Sequence, residues 1–472
     1  MQNTSLKKPF SKDSQVEKSL THSIKDGVAF SIMGGVSESY FSAYAIFLKA
    51  SAPQVGLLAS LPPLLASFSQ LFAVWLGQVT GARSGIIVLG ALLQVAGLIC
   101  VALLPLLFPS ATFSVLLACV IFYFIGPHLG SPLWGSLMGA IVPPQTRGQF
   151  FARRTRLSSI ASFSALIIAG LLLGVFDYLS MTYYGFLAIF SIGVIARLIS
   201  AWHLARIHDP HHEHAITGTP VMLFGRRFFK GQRLLIRFSV FFACMQFAVA
   251  VSGPFVVVYL LRDLQYSYIE LTFNTAASVL VQFLVLNRWG RLSDLFGNRI
   301  ILRVTGFTIP FIPALWILSA DFWYLLLVQA ISGLVWSGYT LSASNFVFDL
   351  TPQDKRAGLM AMHNVLGNIA VFLGASLGGY LSLHLPQSID FGFHLLEWSS
   401  VFYGLFLTSS LLRLLVAFLF LPRLKEVRSV RRMSYTGLIF RVTRFSPVSG
   451  VIFDIIGRRA GYRHPNEDQE NS

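Results

Sequence analysis

The residue of this chain with the clearest chemistry to offer is a carboxyl group set in an apolar stretch: Glu38, the deepest such acid, halfway along the run Gly27 to Leu48. Gly34 and Ser42 lie one helical turn to either side and Gly35 three residues back, so a small and polar stripe shares its helix face. If that run crosses a membrane, a charge at its centre costs roughly 2.5 to 3.5 kcal/mol even on lenient scales. A carboxyl retained there can load and release a proton. The plainer alternative is a carboxyl kept neutral or hydrogen-bonded between helices.

Other polar groups in apolar runs offer binding rather than proton transfer. His128 sits in Gly126-Pro127-His128-Leu129-Gly130-Ser131-Pro132, where two prolines remove backbone donors and predict a distorted helix with carbonyls turned to a cavity. Trp134, Gln246, Trp336, Tyr339, Asn364 and Asn368, with Asn274 and Gln329, supply the aromatic and amide character of a cavity lining, although such residues also pack helices. Glu270 and Asp349 fall nearer the ends of their runs, and Arg413 is read as snorkelling to an interface.

Enzyme chemistry finds no support. The chain has no Gly-rich phosphate loop ending in Gly-Lys-Ser/Thr, no His-Glu-x-x-His and no nucleophile elbow, so neither catalysis nor a cofactor is expected. Cys100, Cys119 and Cys244 lack metal-ligand spacing and read as small packing residues. The cluster His208-Asp209-Pro210-His211-His212-Glu213-His214 offers imidazoles, but without a matching frame of acids or thiols it reads as a linker, and no metal site is assigned.

The elements that must position these residues follow from composition. At 54% hydrophobic and 12% charged over 472 residues, the chain is too apolar for a soluble domain. A bilayer core of roughly 30 Å takes about 20 apolar residues of helix, which satisfies its own backbone hydrogen bonds. Twelve such runs are expected, at 27–48, 53–76, 86–107, 113–142, 158–179, 184–204, 239–261, 268–286, 301–318, 323–350, 358–383 and 398–421. They divide the chain into a polar segment 1–26, a first six-helix half 27–207, a central loop 208–237, a second half 238–421 and a tail 422–472. The polar start lacks the pattern of a cleavable signal, so the first run is read as an anchor.

Basic residues mark one side. Lys7, Lys8, Lys12, Lys18 and Lys25 precede the first run, Arg147, Arg153, Arg154 and Arg156 follow the fourth, and Arg226, Arg227, Lys230 and Arg233 follow the sixth. Opposite connections are nearly bare, Lys49 and Arg262 being the main exceptions. The positive-inside pattern predicts cytoplasmic termini and a cell (inner) membrane location. The net charge of +16 is then a topology signal, with no nucleic-acid partner implied. The tail, with arginines alternating with Leu438, Ile439, Phe440, Val451, Ile452 and Phe453, reads as amphipathic segments on an anionic inner leaflet, its lipids being the partner.

An internal repeat joins the halves. Pro143-Pro144-Gln145-Thr146-Arg147 before the fifth run matches Pro352-Gln353-Asp354-Lys355-Arg356 before the eleventh. Trp75-Leu76-Gly77 through Gly81-Ala82-Arg83 matches Trp289-Gly290-Arg291-Leu292-Ser293-Asp294-Leu295-Phe296-Gly297-Asn298-Arg299. The stretch Gly290, Asp294, Gly297, Arg299 resembles the signature loop of the major facilitator superfamily, Gly-x-x-x-Asp-x-x-Gly-x-basic, and with twelve runs and the repeat the chain from Gly27 to Leu421 is similar to that family. The N-terminal copy is shorter and has no aspartate.

The resemblance implies an all-α integral membrane protein of twelve transmembrane helices in two parallel six-helix repeats, with a site between the halves at the midplane. It also implies that Asp294 closes a cytoplasmic gate against the start of the fifth span, near Arg153 to Leu157. The function to expect is secondary transport of a small organic solute by alternating access, proton-coupled through Glu38. A membrane sensor or scaffold on the same fold is the alternative. No lysine or arginine lies deep in runs 1, 4, 7 or 10, which argues against strong anions as the solute.

Overall fold

A computed structural model of the chain describes residues 10–426 apart from 12, 108–111, 210–231, 353–355, 387, 391–394, 398–399 and 425. The basic tail and His211, His212 and His214 lie outside the described residues. The architecture is α-helical: α1 (Ser14–Ser37), α2 (Ala52–Thr80), α3 (Arg83–Leu107), α4 (Thr112–Ile141), α5 (Arg147–Tyr178) and α6 (Thr182–Leu204) form one half. The other holds α7 (Arg233–Ala250), α8 (Tyr268–Phe296), α9 (Asn298–Thr308, continued by Phe311–Leu318), α10 (Phe322–Leu350), α11 (Arg356–His384) and α12 (Val401–Phe420). Among the described residues, eleven helical runs, from α2 to α12, are long and apolar enough to cross a membrane. The twelfth begins inside α1 at Gly27 and passes through a 3-10 turn, Glu38–Tyr40, into a short helix, Phe41–Phe47. At 1.5 Å per residue that path spans about 31 Å.

The fold is all-α, as expected, with one small antiparallel hairpin, β1 (Ser388–Asp390) with β2 (Leu395–Glu397), in the connection between α11 and α12. Helix α4 runs on through Pro127 and Pro132. The prolines take away two intrahelical donors, but the turns on either side hold the helix.

The repeat is visible in the backbone. The first helix of each half breaks at the matching place, Val36-Ser37-Glu38-Ser39-Tyr40 against Val251-Ser252-Gly253-Pro254-Phe255, with a 3-10 turn at Glu38–Tyr40 and at Gly253–Phe255. At Pro254 the missing N–H forbids an α-helical bond, which accounts for the second break.

The halves meet at the end remote from the termini. There Thr272 of α8 fills the space that a β-carbon on Gly170 would take, and Ile269 does the same at Gly174. Tyr40 Oη lies 2.9 Å from Thr272 Oγ1 and donates to Leu166 O at 2.8 Å, Gly56 packs on Phe255, and Arg262 donates to Ala50 O. One apolar core there draws on both halves, from Tyr44, Val55 and Phe186 to Val251, Tyr259 and Leu271. At the end bearing the termini the described cores are separate. One holds Leu20, Ile87, Leu137, Phe150 and Leu204 of the first half, and others hold Phe238, Phe346 and Leu421, or Trp289 and Ile301, of the second. The described close contacts between the halves therefore lie at the remote end.

Candidate functional site

Glu38 stands at the break in α1 rather than within a continuous helix. Its Oε1 accepts a hydrogen bond of 2.9 Å from Tyr123 Oη of α4, a fully buried side chain. Glu38 itself is exposed, and Gly34, one turn before it, faces open space. Gly35 instead packs on the Ser162 carbonyl and Ala165 of α5, so the two neighbouring glycines face different surroundings.

Below Glu38 lies a charged network that the sequence reading did not anticipate. Asp26, 3% exposed, accepts 2.6 Å from Ser200 Oγ at Oδ1 and pairs through Oδ2 with Arg154 Nη2 at 3.3 Å. Arg154 Nε also donates to Ser23 O at 3.1 Å, and Arg197 Nη1 donates to Ser200 Oγ at 2.5 Å. Arg197, 5% exposed, is tied to Asp26 through the shared Ser200 hydroxyl. Each guanidinium covers an aromatic ring, Arg154 over Trp134 at 4.3 Å and Arg197 over Phe30 at 4.9 Å. These groups line a cavity of about 340 Å³ with His128, Gln70 and Ser131.

Of the residues expected at a cavity, His128 and Trp134 therefore come together with this network. His128 Nδ1 lies 2.8 Å from Phe124 O, and the Trp134 indole N–H is buried with no partner among the described residues. The second-half candidates stand elsewhere. Gln246 and Asn368 are half-buried, Asn364 is exposed, and Trp336 meets Tyr339 edge-on at 5.6 Å. Tyr339 is enclosed by Phe241, Phe242 and Trp336 rather than facing open space, its hydroxyl without a hydrogen-bond partner among the described residues. Asn274 is likewise fully buried. The reading against strong anions rested on α1, α4, α7 and α10, whereas the cavity arginines enter from α5 and α6.

The loop residues have structural work that can be named. Gly297 adopts φ +83°, a conformation that suits glycine at the junction of α8 and α9. The buried Asn298 accepts from Ser293 Oγ at 2.6 Å and donates to Asp349 Oδ2 at 3.2 Å, and the Arg299 N–H donates to Glu426 at 2.8 Å. Gly290 has open space beside it and Asp294 is exposed. The first-half copy lacks an aspartate of its own, and Asp209 after α6 supplies one. Arg83 grips it through Nε at 3.1 Å and Nη2 at 2.8 Å, a bidentate pair. Arg147 caps α4, donating to Gly139 O at 3.0 Å and to Val142 O at 3.5 Å, where a helix leaves carbonyls unpaired. Arg356 opens α11, its side chain lying outside the described residues.

Arg413, read from sequence as snorkelling, does not do so: it is 4% exposed, and Nη2 donates to Ser252 Oγ at 3.0 Å and Val249 O at 3.3 Å, at the break after α7. One further contact escaped the sequence reading. His22 Nδ1 lies 2.8 Å from His203 Nδ1 at the terminal end. Burial and the charges of Lys25 and Arg206 hold His22 below the usual histidine range.

Residues 27–256 and 240–435 match the family model described as Major Facilitator Superfamily. Similar solved structures include the nucleoside transporter NupG, at 15% identity over 86% of this chain and 99% of that one, with TM-score 0.65. A bacterial homologue of the iron transporter ferroportin in an inward-facing state gives 15%, 86%, 98% and 0.64. A bacterial homologue of the human lysosomal transporter Spinster, inward-facing and unoccupied, gives 15%, 93%, 100% and 0.61. At these identities the likeness is one of fold. A search of curated proteins finds no match to the sequence.

Proposed function

The chain belongs to the major facilitator superfamily, and on that premise we propose that it is a secondary active transporter moving a small organic solute by alternating access, coupled to protons through Glu38. The observation that carries the proposal is the setting of Glu38: an acid at a helix break, exposed and bonded to Tyr123, on the same first helix path as a second acid, Asp26, that lines a cavity. A purely structural carboxyl has no need of access to open space.

In this reading the remote contacts at Gly170, Gly174 and Tyr40 form one gate, and the terminal ends form the open mouth. Rocking of the halves closes the terminal end and exposes the site to the other side. The related breaks at Ser37 and Ser252 give α1 and α7 places to bend without unpacking their neighbours. In the same reading the open mouth, both termini and the loop 208–237 are cytoplasmic, which the positive-inside pattern of the basic loops supports, with 27–207 and 238–421 as the moving halves and the inner leaflet beneath the tail. In the closed state Asp294 would face the first turns of α5, a helix-end contact worth about 0.3 to 1 kcal/mol.

The test begins with a solute library screened by thermal shift on purified protein, since a ligand of the native state stabilises by RT ln(1 + [L]/Kd). A stabilising solute is then assayed by exchange across proteoliposomes preloaded with the same solute. Transport predicts labelled uptake that excess unlabelled solute abolishes. Stabilisation without exchange would return the chain to a sensor or scaffold on a transporter fold.

A further inference from the structure

At the break after α7 the backbone gives up a hydrogen bond that a neighbouring helix replaces. The Ser252 N–H, whose α-helical acceptor would be Ala248 O, donates instead to Val249 O at 3.3 Å. Ala248 O is taken by Ser409 Oγ of α12 at 2.6 Å, and Ser409 Oγ in turn accepts from Ser252 Oγ at 3.0 Å. Arg413, one turn further along α12, donates through Nη2 to Ser252 Oγ at 3.0 Å and to Val249 O at 3.3 Å. Each hydroxyl in this chain accepts once and donates once, from Arg413 through Ser252 and Ser409 to the carbonyl that the break releases. Bonds aligned head to tail strengthen one another in a low-dielectric setting. A longer bond, 3.5 Å from Arg413 Nη1 to Ile309 O, reaches a second carbonyl of this kind, since Pro313 has no N–H to offer it.

The head of such a chain must be a donor, and a charged one is costly to bury. Arg413 is 4% exposed, and no carboxylate pairs with it among the described residues. If the position only filled space between α7, α9 and α12, an apolar side chain would serve it better than a guanidinium without a counter-charge. The first half supplies the comparison. There α6 carries Gly193 and Arg197 at the spacing of Ser409 and Arg413 on α12, and Gly193 packs against Ser37 at the break as Ser409 meets Ser252. Glycine brings no hydroxyl, Ser37 Oγ is buried without a hydrogen-bond partner among the described residues, and Arg197 serves Ser200 instead. Among the described residues, one break is therefore tied to the sixth helix of its half by a polar chain, and the other touches its sixth helix without one.

We propose, resting on the transport reading above, that Arg413 is a positioning residue of the transport cycle: at the head of this chain it sets the bend of the span Arg233–Asp263 and ties that bend to α12. Any other bend breaks the chain at Ser252 and leaves a buried guanidinium and a buried carbonyl short of partners, so the bend is held narrowly. At the matching break of the first half no such chain opposes movement. The helix path that carries Glu38 is then the freer of the two.

The experiment measures the bend itself, as the distance between spin labels at Ile236 and Gln265, on either side of the break, in full-length protein whose three native cysteines are replaced. With Arg413 present the distance distribution should be single and narrow. Arg413→Met removes the charge and the donors but fills the space. It should move the equilibrium between this bend and others by about tenfold or more, the size of one lost hydrogen bond to a charged group, and so widen the distribution. Ser252→Ala cuts the same chain without touching a charge and should widen it too, and the double variant should be no wider than the wider single one. A side chain that only filled space or stabilised the fold would leave the distribution of a folded variant as it was. Should Arg413→Met fail to fold, Ser252→Ala carries the test by itself. Unchanged distributions in folded variants, or widening that adds across the two, would overturn the proposal. Because the distances are read without solute, that failure leaves the transport reading standing, whereas a bend held by Arg413 in a protein that exchanges no solute sinks the transport reading alone.

Discussion

Asp26 and Arg197 illustrate at residue scale what hydropathy conceals. Asp26 is the last polar residue before the first apolar run, and a charge there reads as an interfacial marker. In the fold it is buried and ties α1 to α5 and α6 through Arg154 and Ser200. Glu38, by contrast, was legible because nothing near it in sequence is charged, and depth alone singled it out. Its partner Tyr123 was not legible, since only three-dimensional packing sets a residue 85 positions away within 2.9 Å. Removing one member of a buried ion pair leaves an uncompensated charge and costs about 3 to 5 kcal/mol. Asp26→Asn should therefore lower the midpoint of thermal unfolding clearly, while adding Arg154→Gln to it should recover part of the loss. A double variant no more stable than the additive expectation would show that the pair is not energetically linked.

At the scale of elements, hydropathy located the runs that lipid must cover but not where helices end. Helix α5 begins at Arg147, eleven residues before the expected Ser158, and α8 continues to Phe296, ten beyond Leu286. Those extra turns carry arginines and polar groups, for which helix geometry holds although the apolar pattern has stopped. The contact between α5 and α8 was likewise invisible in the apolar pattern, since Gly170 and Gly174 are two glycines among many and only the fold sets Thr272 and Ile269 against them. Closure of the remote end depends on that approach. Gly170→Leu should force the halves apart there and shift the population toward a state open at the remote end. In a variant lacking the three native cysteines, a cysteine at Ser39 should react faster with an impermeant thiol reagent from the remote side when Gly170→Leu is present. An unchanged rate in folded protein would mean that the close approach does not control the gate.

For the whole molecule, the repeat, the twelve spans and the family were readable from composition and two short motifs, because parallel halves of one ancestral pattern repeat their loop signatures. The distribution of function between the halves was not. The sequence placed cavity residues in both, whereas the described charge and the cavity concentrate in the first half, and the corresponding break in the second half has Gly253 where Glu38 stands. That asymmetry makes one carboxyl the centre of the account. The measurement that tests it most directly is uphill uptake in proteoliposomes under an imposed pH gradient, comparing wild type with Glu38→Gln for the solute found by thermal shift. The variant keeps the size of the side chain and its ability to accept from Tyr123 but cannot titrate. The account predicts that it folds and exchanges solute down a gradient, yet fails to concentrate it when protons are supplied. Accumulation by Glu38→Gln equal to that of the wild type would contradict the account, leaving Glu38 a structural carboxyl at a helix break.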